Sequence, residues 1–177
     1  AGGHNGREET TTMCLIPSVV DAVDIPVIAA GGLYDGKSML ASMVLGAEGA
    51  QMGSRFVATE ESSAHIEFKK TVVELGEGGT SLTLKELTPV RMIHNQFYRK
   101  VIEAYEAKAT NEELAELLGR GRSKKGMFEG NLDEGELEIG QIASMLIKIQ
   151  PAGEIVREII QQYIDAGGTK LGKRFEF

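Results

Sequence analysis

The chain has 177 residues and a formal charge of −7, with 42% apolar and 25% charged side chains. That allows one domain with its own core, or one domain and a small appendage, and argues against a nucleic-acid partner, which calls for clustered positive charge. No apolar stretch reaches the roughly 18–20 residues needed to cross a bilayer, and Cys14 is the only cysteine, so an internal disulfide is excluded and a reducing, cytoplasmic setting is expected.

The chain opens on Ala1-Gly2-Gly3-His4-Asn5-Gly6 without an initiator Met, a signal-type n-region or an apolar h-region, and reads as cut from a longer polypeptide. Ile16, Val19, Val20 and Val23 fall on one face of a helix, with Pro17 in its first turn. Ile25-Pro26-Val27-Ile28-Ala29-Ala30 is short, apolar and bounded by Gly31-Gly32, which predicts a strand buried on both faces. Asp35 is an N-cap for a helix carrying Met39, Leu40, Met43 and Val44, which Gly46 stops. Ala50-Gln51-Met52 is a second short strand, ended by Gly53-Ser54. Strand, glycine turn, helix, strand, glycine turn is the grammar of parallel βα units.

Beyond Glu60 a helix is expected through Ile66, Lys69, Lys70 and Val73. A Gly76–Gly79 loop and an extended Leu82–Leu84 follow. Ile93, Phe97, Val101 and Tyr105 have helical spacing, and Thr110 with Glu113 forms a capping box for a short helix. Residues 119–138 read as a surface loop. Two amphipathic helices separated by Pro151 close the chain, one on Ile142, Met145, Leu146 and Ile149, the other on Val156, Ile159, Ile160, Tyr163 and Ile164. The basic tail from Gly167 is expected to fray.

A phosphate needs backbone N–H donors that approach it without an intervening Cβ, and it gains from a helix N-terminus. Gly31-Gly32 and Gly53-Ser54 offer this at the carboxyl ends of neighbouring strands, where α/β ligands bind; the alternative is two ordinary tight turns. Neither a Walker A pattern nor Gly-x-Gly-x-x-Gly is present. His4, set among glycines, is a candidate general base or hydrogen-bond donor, or a plain loop residue. His65 reads as a surface or capping group and His94 as part of a solvated helix face. No histidine pair has metal-ligand spacing, so no metal site is expected. Cys14 reads as a small buried apolar residue.

Gly2-Gly3-His4-Asn5-Gly6, Thr11-Thr12-Met13, Ile25 to Gly32, Gly46-Ala47-Glu48-Gly49 and Gln51-Met52-Gly53-Ser54-Arg55-Phe56 together resemble the nitronate monooxygenase-like family of FMN (βα)8 barrels. That family includes 2-nitropropane dioxygenases and the flavin-type enoyl-acyl-carrier-protein reductase (enoyl-ACP reductase II). The likeness continues through Glu61–His65, Pro89-Val90-Arg91, Glu129-Gly130 and Gly140-Gln141-Ile142.

The resemblance implies an α/β fold, the C-terminal part of a (βα)8 TIM barrel with a small inserted, mainly helical domain. Residues 1–76 would supply the sixth to eighth barrel units, 77–138 the inserted lid, and 139–177 the closing helices and tail. It implies FMN phosphate on Gly31, Gly32, Gly53 and Ser54, where the family commonly has Thr in place of Ser54. Gly3, Gln51 and Gln141 would be further flavin-site residues, and His4 the active-site histidine.

NADPH or NADH as donor, a small-molecule or acyl-carrier substrate and a homodimer are implied partners. The preceding half of the barrel, on the same or another chain, is also required, since a few βα units leave open edges. The Thr11–Met13, Glu61–His65 and Glu129–Gln141 segments resemble the reductase branch more closely. Three readings therefore stand: enoyl-thioester reduction in fatty acid synthesis, nitronate oxidation with O2, and a non-catalytic phosphate-binding or scaffold fragment.

Overall fold

The computed structural model describes residues 2–3 and 10–167. His4 lies outside the described residues. The elements, in chain order, are α1 (Thr12–Val20), β1 (Ile28–Ala30), α2 (Gly36–Val44), β2 (Gly49–Gln51), α3 (Ser54–Val57), α4 (Ile66–Val73), β3 (Thr80–Thr83), β4 (Val90–Ile93), α5 (Gln96–Glu106), α6 (Asn111–Leu118) and α7 (Ala152–Asp165). A π-helical turn at Lys124–Phe128 and a 3-10 turn at Gln141–Met145 join the last elements. The fold is mixed α/β.

β1 and β2 pair in parallel, with Ile28 opposite Gly49, Ala29 opposite Ala50 and Ala30 opposite Gln51. α2 is their crossover, as the glycine-turn grammar predicts. β3 and β4 form an antiparallel pair, Thr80 opposite Ile93 through Thr83 opposite Val90. A parallel bridge, Thr59 to Gln150, sets the segment after α3 beside the approach to α7.

Three apolar clusters hold these pieces. Ile16, Ala29, Leu33 and Ala47 join α1 to the β1–β2 pair. Leu84, Val90, Met92, Phe97, Val101 and Leu114 bind β4, α5 and α6. Phe68, Val72, Ile93, Leu137, Ile139, Ile142 and Leu146, with Ala58 and Ala143, form the third and draw α4, β4 and the 137–146 segment together.

Several expectations are corrected. Helix α1 begins at Thr12, so Pro17 sits inside it rather than in its first turn, where it removes one i to i−4 hydrogen bond. The strand at 25–30 is shorter than expected and buried on one face: Ala29 is buried, whereas Ile25 and Ile28 are 71% and 56% exposed. Ile93 ends a strand instead of starting a helix. Asn95 caps α5, its side chain accepting from the Tyr98 N–H at 2.9 Å and donating to the carbonyls of Leu132 and Gly135 at 2.6 and 2.7 Å.

Residues 119–138 are no plain surface loop. Arg122 lies over the Phe97 ring and donates to the Leu117, Leu118 and Glu134 carbonyls, while Leu137 is 1% exposed. The expected helix on Ile142 is a 3-10 turn with Met145 exposed. On α7 the buried side chains are Ile155 and Ile159, leaving Val156, Ile160 and Ile164 open. Cys14 is exposed rather than buried.

Candidate functional site

Two clefts open around the Gly140-Gln141 corner. The first, about 350 Å³, is lined by Gly3, Gly53, Ser54, Phe68, Phe128, Glu138 and Gly140, among others. The second, about 390 Å³, is lined by Gly32, Tyr34, Gly76, Gln141 and Met145, among others. Gly3, Gly53 and Ser54 thus meet in one space, and Gly32 and Gln141 in the other. Gly31 and Gln51 line neither; Gln51 is exposed on β2, in register with Ala30.

The two glycine turns differ in chemistry. Gly31 and Gly32 both hold left-handed backbone, at φ 90° and 75°, which only glycine adopts at little cost. The Gly31 carbonyl accepts from Thr12 Oγ1 at 2.9 Å, which fixes the turn to α1. Behind it α2 is already capped. The Asp35 carboxylate accepts from the Ser38 N–H at 2.8 Å, and Ser38 Oγ accepts from the Tyr34 and Asp35 N–H groups at 3.1 Å. That carboxylate stands where a helix N-terminus would otherwise favour an anion. Any phosphate on this turn relies on its backbone, not on α2.

α3 is the opposite case. Gly53 at its N-cap has φ −83° and ψ −65°, and no side chain caps the helix. A Cβ built on Gly53 meets no atom within 4 Å. Neither backbone conformation nor packing therefore demands glycine there. Glycine there leaves the space above the turn open to the cleft. Ser54 Oγ accepts the Gly140 N–H at 2.9 Å, which ties the turn to the Gly140-Gln141 corner and leaves the hydroxyl proton to donate.

Gly3 completes the cleft. Its carbonyl accepts the Arg91 N–H at 2.7 Å, and Ile139 N–H donates to the Arg91 carbonyl at 3.1 Å. These bonds carry the chain before His4 to the cleft wall.

The other histidines do different work. Nδ1 of His65 accepts the Glu67 N–H at 3.2 Å as the N-cap of α4, the capping role expected of it. His94 is not on a helix; it follows β4, stacks on Tyr98 at 4.3 Å and contacts Ser81 Oγ through Nε2 at 2.9 Å. Among the described residues no group of three or more His, Cys, Asp or Glu could hold a metal ion.

The sequence reading missed Tyr34, Phe128 and Glu138. Burial, then the neighbouring Asp35 charge, push the Tyr34 phenol above its ordinary pKa, with Arg55 opposing. Phe128 is 47% exposed at the first cleft. It is presented by the π-turn, whose Gly126 packs directly on Gly135. Glu138 shares Ser123 Oγ with Glu136, at 2.7 and 2.6 Å; one hydroxyl proton serves only one of the two carboxylates. The Glu136-Leu137-Glu138-Ile139 alternation was the available signal, since period two marks one face of an extended segment.

The family profile "Nitronate monooxygenase" matches residues 1–162. A probable nitronate monooxygenase of Staphylococcus saprophyticus is 35% identical over 173 residues, covering 92% of this chain and 48% of the relative. One from Bacillus subtilis is 31% identical, covering 93% and 49%. The structure of FabK from Thermotoga maritima superposes with a TM-score of 0.85 at 37% identity, over 94% of this chain and 52% of that one. Nitroalkane oxidase from Streptomyces ansochromogenes gives 0.75 at 29% identity, over 94% and 50%. The chain spans about half the length of the curated relatives it matches. With the profile covering 162 of its 177 residues, the chain belongs to the nitronate monooxygenase family.

Proposed function

We propose that the protein containing this chain is an FMN-dependent oxidoreductase of the enoyl-ACP reductase II type, reducing enoyl-thioesters with NAD(P)H. The observation that carries the cofactor is Gly53: an unforced glycine, open above its Cα, at the head of an uncapped helix on a cleft. That donor set fits a phosphate: backbone N–H groups, a serine hydroxyl and no anion on the helix. Gly53 and Ser54 would hold the phosphate, with Gly31 and Gly32 as the second turn. Gly3, Gln51 and Gln141 would flank the flavin. Bound FMN supplies the hydride relay between nicotinamide and substrate. The chain's part is to bind, orient and shield; His4 is assigned as base or donor beside the reacting carbon. Residues 77–138, with their own apolar cluster around Phe97, are read as the lid.

The reductase branch is preferred because similarity to FabK, 37% identity and TM-score 0.85, exceeds that to nitroalkane oxidase, 29% and 0.75. A second reading, nitronate oxidation with O2, is favoured by the names of the relatives at 35% and 31% identity. Flavin absorbance in the purified full-length protein tests the cofactor; a colourless protein that takes up no FMN leaves only a non-catalytic module. NAD(P)H oxidation with crotonyl-thioester, set against O2 uptake with an alkyl nitronate, separates the two activities. The reductase reading fails if only the nitronate turns over.

The exposed Ile25, Ile28, Val156, Ile160 and Ile164 are proposed to be covered by the half of the barrel that precedes this chain in its relatives, in a cytoplasmic protein. Among the described residues no helix is long and apolar enough to cross a membrane.

A further inference from the structure

α3 has four residues. A single turn is an unfavourable nucleus, so its geometry must be imposed from outside. Ser54 Oγ takes the Gly140 N–H on one side. On the other, Arg55 Nη2 meets Glu158 Oε2 of α7 at 3.1 Å. The second oxygen of Glu158 is held by Lys148 Nζ at 3.2 Å, so the carboxylate is fixed from two directions.

The Arg55 side chain is only 12% exposed, against 38% for Glu158. A shielded guanidinium tied to a single rigid post is a spacer, not a solvated surface charge. α7 is such a post. It has 14 residues, and α2 crosses it so closely that a Cβ on Gly36 would fall onto the backbone of Ile159 and Tyr163. The Arg55 charge also opposes the rise of the Tyr34 phenol pKa.

We propose that Arg55, anchored by Glu158, is a positioning residue that sets the Gly53-Ser54 turn for the cofactor phosphate. This rests on the phosphate reading above. The arrangement is cooperative: Glu158 acts on the turn through Arg55, and the pair acts on ligands that carry a phosphate. Loss of either partner lets α3 drift by rotation about its Ser54 tie, and the turn's donors lose their common focus.

The test uses the full-length protein stripped of flavin, with FMN and riboflavin titrated by fluorescence. The set is wild type, Arg55→Met, Glu158→Gln, the double variant and Glu158→Asp, which keeps the charge. Glu158→Gln should weaken FMN about tenfold, a usual size for coupled contacts, and leave riboflavin unchanged. The double variant should bind FMN no more weakly than Arg55→Met, and Glu158→Asp should recover most of the loss. FMN affinity of Glu158→Gln within twofold of wild type, equal losses for FMN and riboflavin, or additive effects in the double variant would each overturn the proposal. If wild type itself binds riboflavin as tightly as FMN, the phosphate reading fails first, and that outcome is told apart by the wild-type titration alone.

Discussion

Replacing Gly53 separates binding from folding more cleanly than any other change in the site. With φ −83°, an added side chain meets no backbone strain, and with no atom within 4 Å it meets no neighbour. The folding cost of Gly53→Ala is therefore set by two small opposed terms. Alanine is a poorer N-cap than glycine, while loss of backbone freedom in the unfolded chain favours alanine by about 0.4–1 kcal/mol. The net should stay within about 1 kcal/mol, a shift of a few degrees at most in Tm. Binding is another matter. A hydrogen bond to a charged group contributes about 1.5–3 kcal/mol, and a methyl placed over the turn forbids the closest of them. FMN affinity should fall by about 10- to 100-fold, and Gly53→Val should abolish retention through desalting. Gly32→Ala makes the contrast: at φ 75° it costs about 1–2 kcal/mol in backbone strain before any ligand is added. Flavin titration and thermal melts of both variants give the answer. Gly53→Ala and Gly53→Val with wild-type flavin content would refute the phosphate assignment, whatever happened at Gly32.

Gly36→Ala should be among the most damaging changes in the chain, because its Cβ would meet the backbone of α7 rather than a side chain that can turn away; a loss of about 1–3 kcal/mol is expected in denaturant melts, and a neutral result would show that α2 and α7 are not in contact. The Tyr105 hydroxyl accepts the Leu84 N–H at 2.8 Å and donates to Glu86 at 3.0 Å, so Tyr105→Phe, leaving a buried N–H without its partner, should cost about 1–3 kcal/mol. Burial, then the Glu86 bond, raise the Tyr105 pKa from 10.0 to about 12; the protonated form is favoured in the folded state, so this contribution is whole below pH 10 and is lost as pH rises towards 12, a slope that Tyr105→Phe should remove. His4→Ala should keep FMN, since the phosphate turns lie elsewhere, and lower turnover by about 10²–10⁴; in nitronate oxidation the loss should shrink when the preformed anion replaces the neutral nitroalkane, and turnover within twofold of wild type would make His4 a loop residue.

Local chemistry was the legible part. Asp35 and Thr110 cap as their spacing says, the latter with Glu113 in both directions at 3.3 and 2.7 Å. The Gly31-Gly32 turn follows β1 directly, and the Gly53-Ser54 turn follows β2 after Met52, the strand running Gly49–Gln51 rather than Ala50 to Met52. What failed was inference from apolar periodicity to burial. The stripe Val156, Ile160, Ile164 is real, yet among the described residues nothing covers it, because periodicity marks a face that wants cover and not what provides it. The same holds for Ile25 and Ile28. The Ile93 to Tyr105 spacing failed otherwise: Asn95 is a stronger helix start than a four-residue apolar repeat, and its amide also binds the 132–135 carbonyls from far along the sequence.

Three other glycines show why composition alone could not single out Gly53. Gly36, Gly126 and Gly135 are fixed by packing, each with backbone where a Cβ would stand. Others are fixed by left-handed φ. Sequence cannot tell these causes apart, since all are written with the same letter. Once geometry accounts for them, among the glycines whose surroundings are described, Gly53 and Gly76 share ordinary φ and empty space. Gly76 belongs to the Gly76-Glu77-Gly78-Gly79 turn, where its carbonyl accepts the Gly79 N–H at 3.2 Å, so a loop explains it. The Gly53 carbonyl also accepts, from the Phe56 and Val57 N–H groups at 2.9 and 3.1 Å, but as the start of α3 rather than of a loop. Gly53 heads a helix that lacks a capping side chain, at a position where serine or aspartate would stabilise the fold by about 1 kcal/mol. An Asp there would place an anion at the helix start and repel a phosphate; a Ser would fill the approach. The sequence keeps the hydroxyl one residue later, on Ser54, where it is turned to Gly140. A serine at 54 rather than 53, with α3 left uncapped, is the arrangement that the proposed phosphate site calls for.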